Sequence, residues 1–240
     1  MRVWDIHPGY LSNRSLLGEH VEIHALYSII TGGKNGYSRH PETKRWIKNI
    51  NQLVSRHNLV VIEMLLRDFK HNSPLQFSEN IQGSCRINTL YYINLPADQF
   101  TILHRKYSLK EQTGRIPLPK YGIDFWAHHK YSVMARGYQY YKDIQKYMRD
   151  RLIYPIEQEN VLIERILSYL KMEIIEKALD NVILHLWGYF KNRATPEERK
   201  CFLNISNSLK KMDMIVVMAK KYQLHYLLHS TIFVDSLPRR

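Results

Sequence analysis

The sequence predicts an all-α protein. Apolar residues recur at helical spacing through most of the chain. Capping residues, prolines and glycines mark where those periodic stretches start and stop. No segment alternates with the two-residue period of a half-buried strand. Residues 12–31 set Leu16, Leu17, Ile23, Leu26, Tyr27 and Ile30 at helical spacing, with Ser12 as cap and Gly32-Gly33 as stop. A loop over 34–40 follows. Pro41 then opens a predicted long helix to about Phe69, its inward stripe formed by Trp46, Ile50, Leu53, Val54, Val61, Met64 and Leu65. Residues 70–95 read as irregular. Residues 96–110 read as a helix with Phe100, Leu103 and Tyr107 on one face. Two prolines and a glycine in Gly114-Arg115-Ile116-Pro117-Leu118-Pro119 break any helix and place a domain boundary near 114–122, which predicts domains over 1–119 and 120–240. The second half reads as four helices over about 123–150, 158–191, 196–211 and 213–229. Leu162, Ile166, Leu170, Ile174, Ala178, Ile183 and Leu186 imply a packed bundle, and Thr195-Pro196-Glu197-Glu198 is a capping-box start.

Composition narrows the function. The chain has 240 residues with 35 Lys+Arg against 22 Asp+Glu, a net charge of +13. Such an excess suits a polyanion, either nucleic acid or an anionic membrane surface. The two cysteines, Cys85 and Cys201, lie far apart and outside any CxxC pair, which excludes a disulfide scaffold or a thiolate zinc site and fits a reducing cytoplasm. No apolar run reaches the length of a membrane span, and Met1-Arg2-Val3-Trp4-Asp5 lacks the apolar core of a signal peptide.

Four constellations carry chemistry. Glu19 and Glu22 are three apart and share a helix face. A carboxylate near a free α-amine makes a usable pair for Schiff-base chemistry, because the α-amine titrates near ~8 against roughly 10.4 for lysine. Residues 34–72 hold eight basic side chains (Lys34, Arg39, Lys44, Arg45, Lys48, Arg56, Arg67, Lys70) against three acids. Of these, Arg39, Lys44 and Lys48 join His40 along a loop and helix start that favour a phosphate. His20 and His24 are four apart and could share a zinc ion, but no third ligand is evident and the order is not HExxH, so no metal is expected. Tyr131, Tyr138, Tyr140, Tyr141 and Tyr147 suit either base stacking or interhelix packing.

Residues 1–119 resemble the pyrimidine-dimer DNA glycosylase family, whose best-known member is the phage endonuclease V. The carrying residues are Met1-Arg2-Val3-Trp4-Asp5-Ile6, Leu16-Leu17-Gly18-Glu19-His20-Val21-Glu22-Ile23-His24, Gly36-Tyr37-Ser38-Arg39-His40-Pro41-Glu42-Thr43 and Gly114 through Pro119. The resemblance implies a compact helical glycosylase domain acting on double-stranded DNA. It implies an N-terminal amine that attacks the sugar C1′ of a damaged pyrimidine nucleotide, a Schiff base, and β-elimination that nicks the strand, with no cofactor. Matched without gaps, it puts the nucleophilic amine on Met1 and the assisting carboxylate at Glu22. Glu19 and His20 are their neighbours, and Arg2 falls beside the nucleophile. The bulk of Arg2 is expected to block removal of Met1. Val21 and Ala25 stand where the phage enzyme has arginines that touch DNA.

Residues 123–234 resemble a YbgA-type domain of unknown function. The matching stretches are His128-His129-Lys130-Tyr131, Asn181 through Lys191, and Glu198-Arg199. Within them His128, Asn181, His185 and Lys191 read as a polar cluster, either a network inside the bundle or a binding site. The leading expectation is a DNA-repair glycosylase with AP-lyase nicking. Its rivals are a non-catalytic nucleic-acid-binding protein and an enzyme on free modified nucleobases.

Overall fold

Ser12 starts the first helix as its sequence predicts. Its hydroxyl accepts the Ser15 N–H at 3.3 Å, and α1 runs Asn13–Thr31 to Gly32 and Gly33, where Gly33 takes φ 59°. The structure is a computed structural model that describes residues 2–33, 37–77, 91–149 and 153–236. Among these residues it is all-α, with no sheet and two isolated bridges, Ser12 to Gly114 and Tyr121 to Pro155. The chain divides into two compact units, Met1–Gly114 and Arg115–Leu237.

In the first unit, α1 buries Leu16, Ile23 and Leu26. The long helix expected from Pro41 is two helices, α2 (Pro41–Trp46) and α3 (Ile50–Leu66). Asn49 causes the break. Its backbone leaves helical angles at φ −133°, and its amide Nδ2 donates to the Arg45 carbonyl at 2.9 Å, taking an acceptor that a continuing helix would use. The break lets Trp46 and Ile50 both reach the core. Asp68, at φ 64°, turns the chain just after α3. Residues 71–77 and 91–95 form no helix, and α4 spans Pro96–Ser108. From α4, Phe100, Leu103 and Tyr107 face inward, as predicted; Phe100 meets Tyr10 edge-on at 5.0 Å, and the Tyr107 hydroxyl accepts the Ser12 N–H at 2.7 Å. Gly114 closes the unit where only glycine fits, since a Cβ there would lie 2.5 Å from the Gly9 carbonyl oxygen.

The second unit holds eight helices among the described residues, where four longer ones were predicted: α5 (Gly122–Met134), α6 (Tyr138–Arg149), α7 (Asn160–Leu170), α8 (Glu176–Gly188), α9 (Pro196–Asn204), α10 (Ser208–Lys221), α11 (His225–Leu228) and α12 (Ile232–Asp235). Each of the following breaks has an identifiable cause. Gly137, at φ 151°, separates α5 from α6. Ile175 turns extended before α8, and its N–H donates to the Ala135 carbonyl at 3.0 Å, a tertiary bond in place of a helical one. Asn207 caps α10 by accepting the Lys210 N–H at 3.0 Å, and Gln223 (φ 52°) ends it. The α9 start has the predicted capping box, with Glu198 accepting the Thr195 N–H at 2.8 Å and the Thr195 hydroxyl accepting the Glu198 N–H at 3.3 Å. Helix α5 packs against α6, α7, α8 and α12, and α8 packs against α10. Leu162, Ile166, Ile183 and Leu186 of the predicted stripe are buried, whereas Leu170, Ile174 and Ala178 are half-buried because α7 has ended or α8 has only begun there. No described helix is long and apolar enough to cross a membrane.

Candidate active site

Chain termini usually fray unless something ties them down. Here residues 2–7 form neither helix nor strand, yet Val3, Trp4 and Ile6 are buried. Side chains from three helices satisfy their backbone. Glu42 of α2 accepts the Val3 N–H at 3.1 Å, Glu19 of α1 accepts the Trp4 N–H at 2.9 Å, and Gln99 of α4 accepts the Asp5 N–H at 2.9 Å. Gln99 also donates from Nε2 to the Asp5 carboxylate at 2.8 Å. Met1 itself, the expected nucleophile, lies outside the described residues.

The acids that hold this segment are themselves held. Arg56 of α3 grips Glu19 with two N–H···O bonds of 2.9 Å, and its third nitrogen donates to the Ile6 carbonyl at 2.8 Å. Burial pushes the Glu19 carboxyl up, against the opposing pull of Arg56 and the Trp4 N–H. Arg45, also buried, pairs with Asp5 and with Glu42, which besides the Val3 N–H accepts the Trp46 indole N–H at 3.1 Å. Arg67 pairs with Glu63 at 2.7 Å and caps the Leu11 carbonyl at 2.7 Å. Three of the eight basic residues counted as a charged face are therefore structural, which corrects the sequence reading. Buried guanidiniums are retained only with such partners.

Glu19 and Glu22 thus differ in use. Glu19, expected as an active-site neighbour, is a fully sequestered anchor. Glu22, one helical turn further along α1, is half-buried. Arg2 is half-buried too, with its guanidinium 4.5 Å from the Trp4 ring centroid and bonded to Asn94. Arg39, Lys44 and Lys48 are exposed. His40 is half-buried and caps α2, its Nδ1 accepting the Glu42 N–H at 3.2 Å. Tyr37, Ser38, Arg39 and His40 line a shallow open depression. Lys34 and Cys85 lie outside the described residues.

His20 has a setting the sequence did not reveal. His20 and His24 of α1, His57 of α3 and His71 beyond α3 converge, with their candidate ligand nitrogens all within 4.8 Å of one another. His57 and His71 are the third and fourth partners that the i, i+4 spacing could not point to. They lie 33 and 47 positions beyond His24, and only the packing of α3 on α1 brings them in. Burial pushes His20 and His57 down to about 4, and lowers His24 as well.

In the second unit the expected polar cluster does not form inside the bundle. Asn181, His185 and Lys191 are exposed on α8 and just past its end. His128 is buried in α5, its ring 6.3 Å from that of His229, and burial pushes it down to about 4. The tyrosines are engaged with protein groups. Tyr140 stacks on Tyr169 at 4.6 Å, Tyr138 stacks on Tyr141 at 5.7 Å, and the Tyr131 and Tyr189 hydroxyls are 3.3 Å apart.

Residues 1–77 match the family model described as pyrimidine dimer DNA glycosylase, and residues 130–235 match the one described as a protein of unknown function (DUF1722). No curated protein and no solved structure matches the chain. The anchored N-terminal segment, α1 with its two glutamates, α2 and α3 all fall within the first match. The chain is therefore similar to the pyrimidine dimer DNA glycosylases through its first 77 residues and to the DUF1722 proteins over residues 130–235.

Proposed function

We propose that the protein is a DNA-repair glycosylase with AP-lyase activity on damaged pyrimidines in duplex DNA, using the α-amine of Met1 as nucleophile. The observation that carries this reading is the fixed head of the chain. Glu42, Glu19 and Gln99 pin residues 3–5, and Glu22 stands one turn beyond the Glu19 anchor. A chain held at residues 3–5 lowers the orientational freedom to be lost when a group just ahead of it attacks.

In the proposed reaction the amine lone pair forms a bond to the sugar C1′ as the C1′–base bond breaks, and the departing base takes up a proton. The sugar ring opens with its O4′ protonated, leaving an iminium between the amine and C1′. Glu22 carboxylate removes a C2′ proton, and the 3′ phosphate leaves by β-elimination. Arg2, Arg39, His40, Lys44 and Lys48 bind phosphates and fix register without reading sequence. The target nucleotide leaves the stack, because C1′ and the base are otherwise shielded. The proposed chemistry runs on the amine, the carboxylate and the substrate, and calls for no cofactor.

Nicking of an abasic duplex by untagged protein tests the acid/base role. Glu22→Gln should lower the rate roughly 10²–10⁴-fold while the protein stays folded. An unchanged rate would remove Glu22 from the mechanism. One observation favours a second reading, a non-catalytic DNA binder: Val21 is 66% exposed at a position where the phage relative has a DNA-touching arginine. That reading predicts DNA retention with no nicking by the wild-type protein.

A further inference from the structure

We infer that His20, His24, His57 and His71 form a zinc-class divalent metal site that clamps α1 to α3 and to the segment after α3. The geometry is close to that of a coordination shell. The Nε2 atoms of His20 and His24 are 3.2 Å apart, and those of His24 and His57 are also 3.2 Å apart. Zinc–imidazole bonds of about 2.0–2.1 Å in a tetrahedron put neighbouring nitrogens about 3.3–3.4 Å apart. All four ligand nitrogens lie within 4.8 Å of one another.

Hydrogen bonding among the rings accounts for the convergence less well. A neutral imidazole nitrogen carries either one hydrogen or one lone pair, so the His24 Nε2 can bond well to only one among its two ring neighbours and the Ser73 hydroxyl, which is 3.5 Å away. His57 narrows the choice further. Its Nδ1 lies 3.1 Å from the Asn58 side-chain oxygen, which accepts a hydrogen bond from the Nδ1–H and leaves the His57 Nε2 with a lone pair facing the cluster. That is the tautomer and the supporting bond expected of a metal-ligating histidine. The His71 Nε2 is buried with no hydrogen-bond partner among the described residues. One cation satisfies all four rings at once.

The ligand set decides the metal class. Four imidazoles without a carboxylate favour zinc and its first-row neighbours over magnesium or calcium, which take oxygen ligands. Four protein ligands also make a closed site, and closed zinc sites are structural. The position agrees. His20 follows Glu19 in α1 and His57 follows Arg56 in α3, so the clamp sits beside the ion pair that holds the Trp4 N–H.

The test uses untagged full-length protein, stripped with a chelator and titrated with zinc alone or cobalt alone. The expected result is one zinc per chain by elemental analysis and a tetrahedral visible absorption band with cobalt. A thermal midpoint roughly 5–10 °C higher with zinc well above its Kd should accompany them. His24→Gln should lose the cobalt band and the zinc-dependent shift. His71→Gln, a change in the irregular segment past α3, decides the matter if His24→Gln fails to fold by far-ultraviolet circular dichroism. Wild-type protein that takes up no zinc, or a folded His71→Gln that keeps the full cobalt band and stoichiometry, would overturn the site. These readouts are independent of any activity on DNA.

Discussion

Single side chains divide the work of this protein by burial. Glu19 and Glu22 are both legible in the sequence as acids on one face of a helix, but their spacing is silent on which one the core absorbs. The structure gives Glu19 to Arg56 and to the Trp4 backbone, and leaves Glu22 half-buried. This division has opposite consequences for two substitutions. Arg56→Ala leaves the Glu19 carboxylate buried without its partner and should cost roughly 3–5 kcal/mol of stability, measured by urea unfolding. Glu22→Gln, which keeps the side chain's size at a half-buried position, should cost clearly less stability than Arg56→Ala. A reversed pattern would mean that the assignment of anchor and acid is wrong. Arg45, Arg56 and Arg67 show why charge counting overstated the basic face. A sequence lists guanidiniums, but only packing shows that these three are spent on Asp5, Glu42, Glu19 and Glu63.

At the scale of helices, caps were readable and breaks within a periodic stretch were not. Ser12 and the Thr195–Glu198 box mark real helix starts because a cap needs only its own next turn. The breaks at 47–49 and 171–175 escaped the periodic reading because their causes are an Asn49 side chain turning onto Arg45 and an Ile175 N–H reaching Ala135 forty positions earlier. Helix α5 carries a pH dependence of its own. The pKa of His128 falls to about 4 from 6.5 on folding, and fully buried His129 is also pushed down. A lowered folded pKa means that between those values the unfolded chain binds more protons. The stabilisation is therefore complete above about pH 6.5 and drains away as pH falls toward 4. For His128 the loss is at most roughly 3 kcal/mol. Urea midpoints taken at neutral pH and near pH 4 should separate less in His128→Gln than in wild type. Equal separations would assign the acid sensitivity elsewhere.

For the molecule as a whole, the all-α class was legible from helical periodicity and from the absence of any strand-period segment. The four-histidine convergence was not, because its members are joined only by the α1–α3 contact. The net charge of +13 bears on the proposed DNA binding. Lys44 and Lys48 are exposed, and replacing both with Ala should shallow the slope of log K against log salt by about 2, since each phosphate contact contributes roughly 0.9. Fluorescence anisotropy with a duplex at several salt concentrations reads this directly, and an unchanged slope would move the DNA path away from the α2 loop.

The most direct test of the central claim is borohydride trapping on ultraviolet-irradiated duplex, with untagged protein whose N-terminal mass has been verified. The amine mechanism predicts a covalent protein–DNA adduct whose linkage maps to residue 1 by peptide mass spectrometry, and which disappears when one extra residue precedes Met1. An adduct that maps to an internal lysine, or DNA binding with no adduct on either irradiated or abasic duplex, would contradict it.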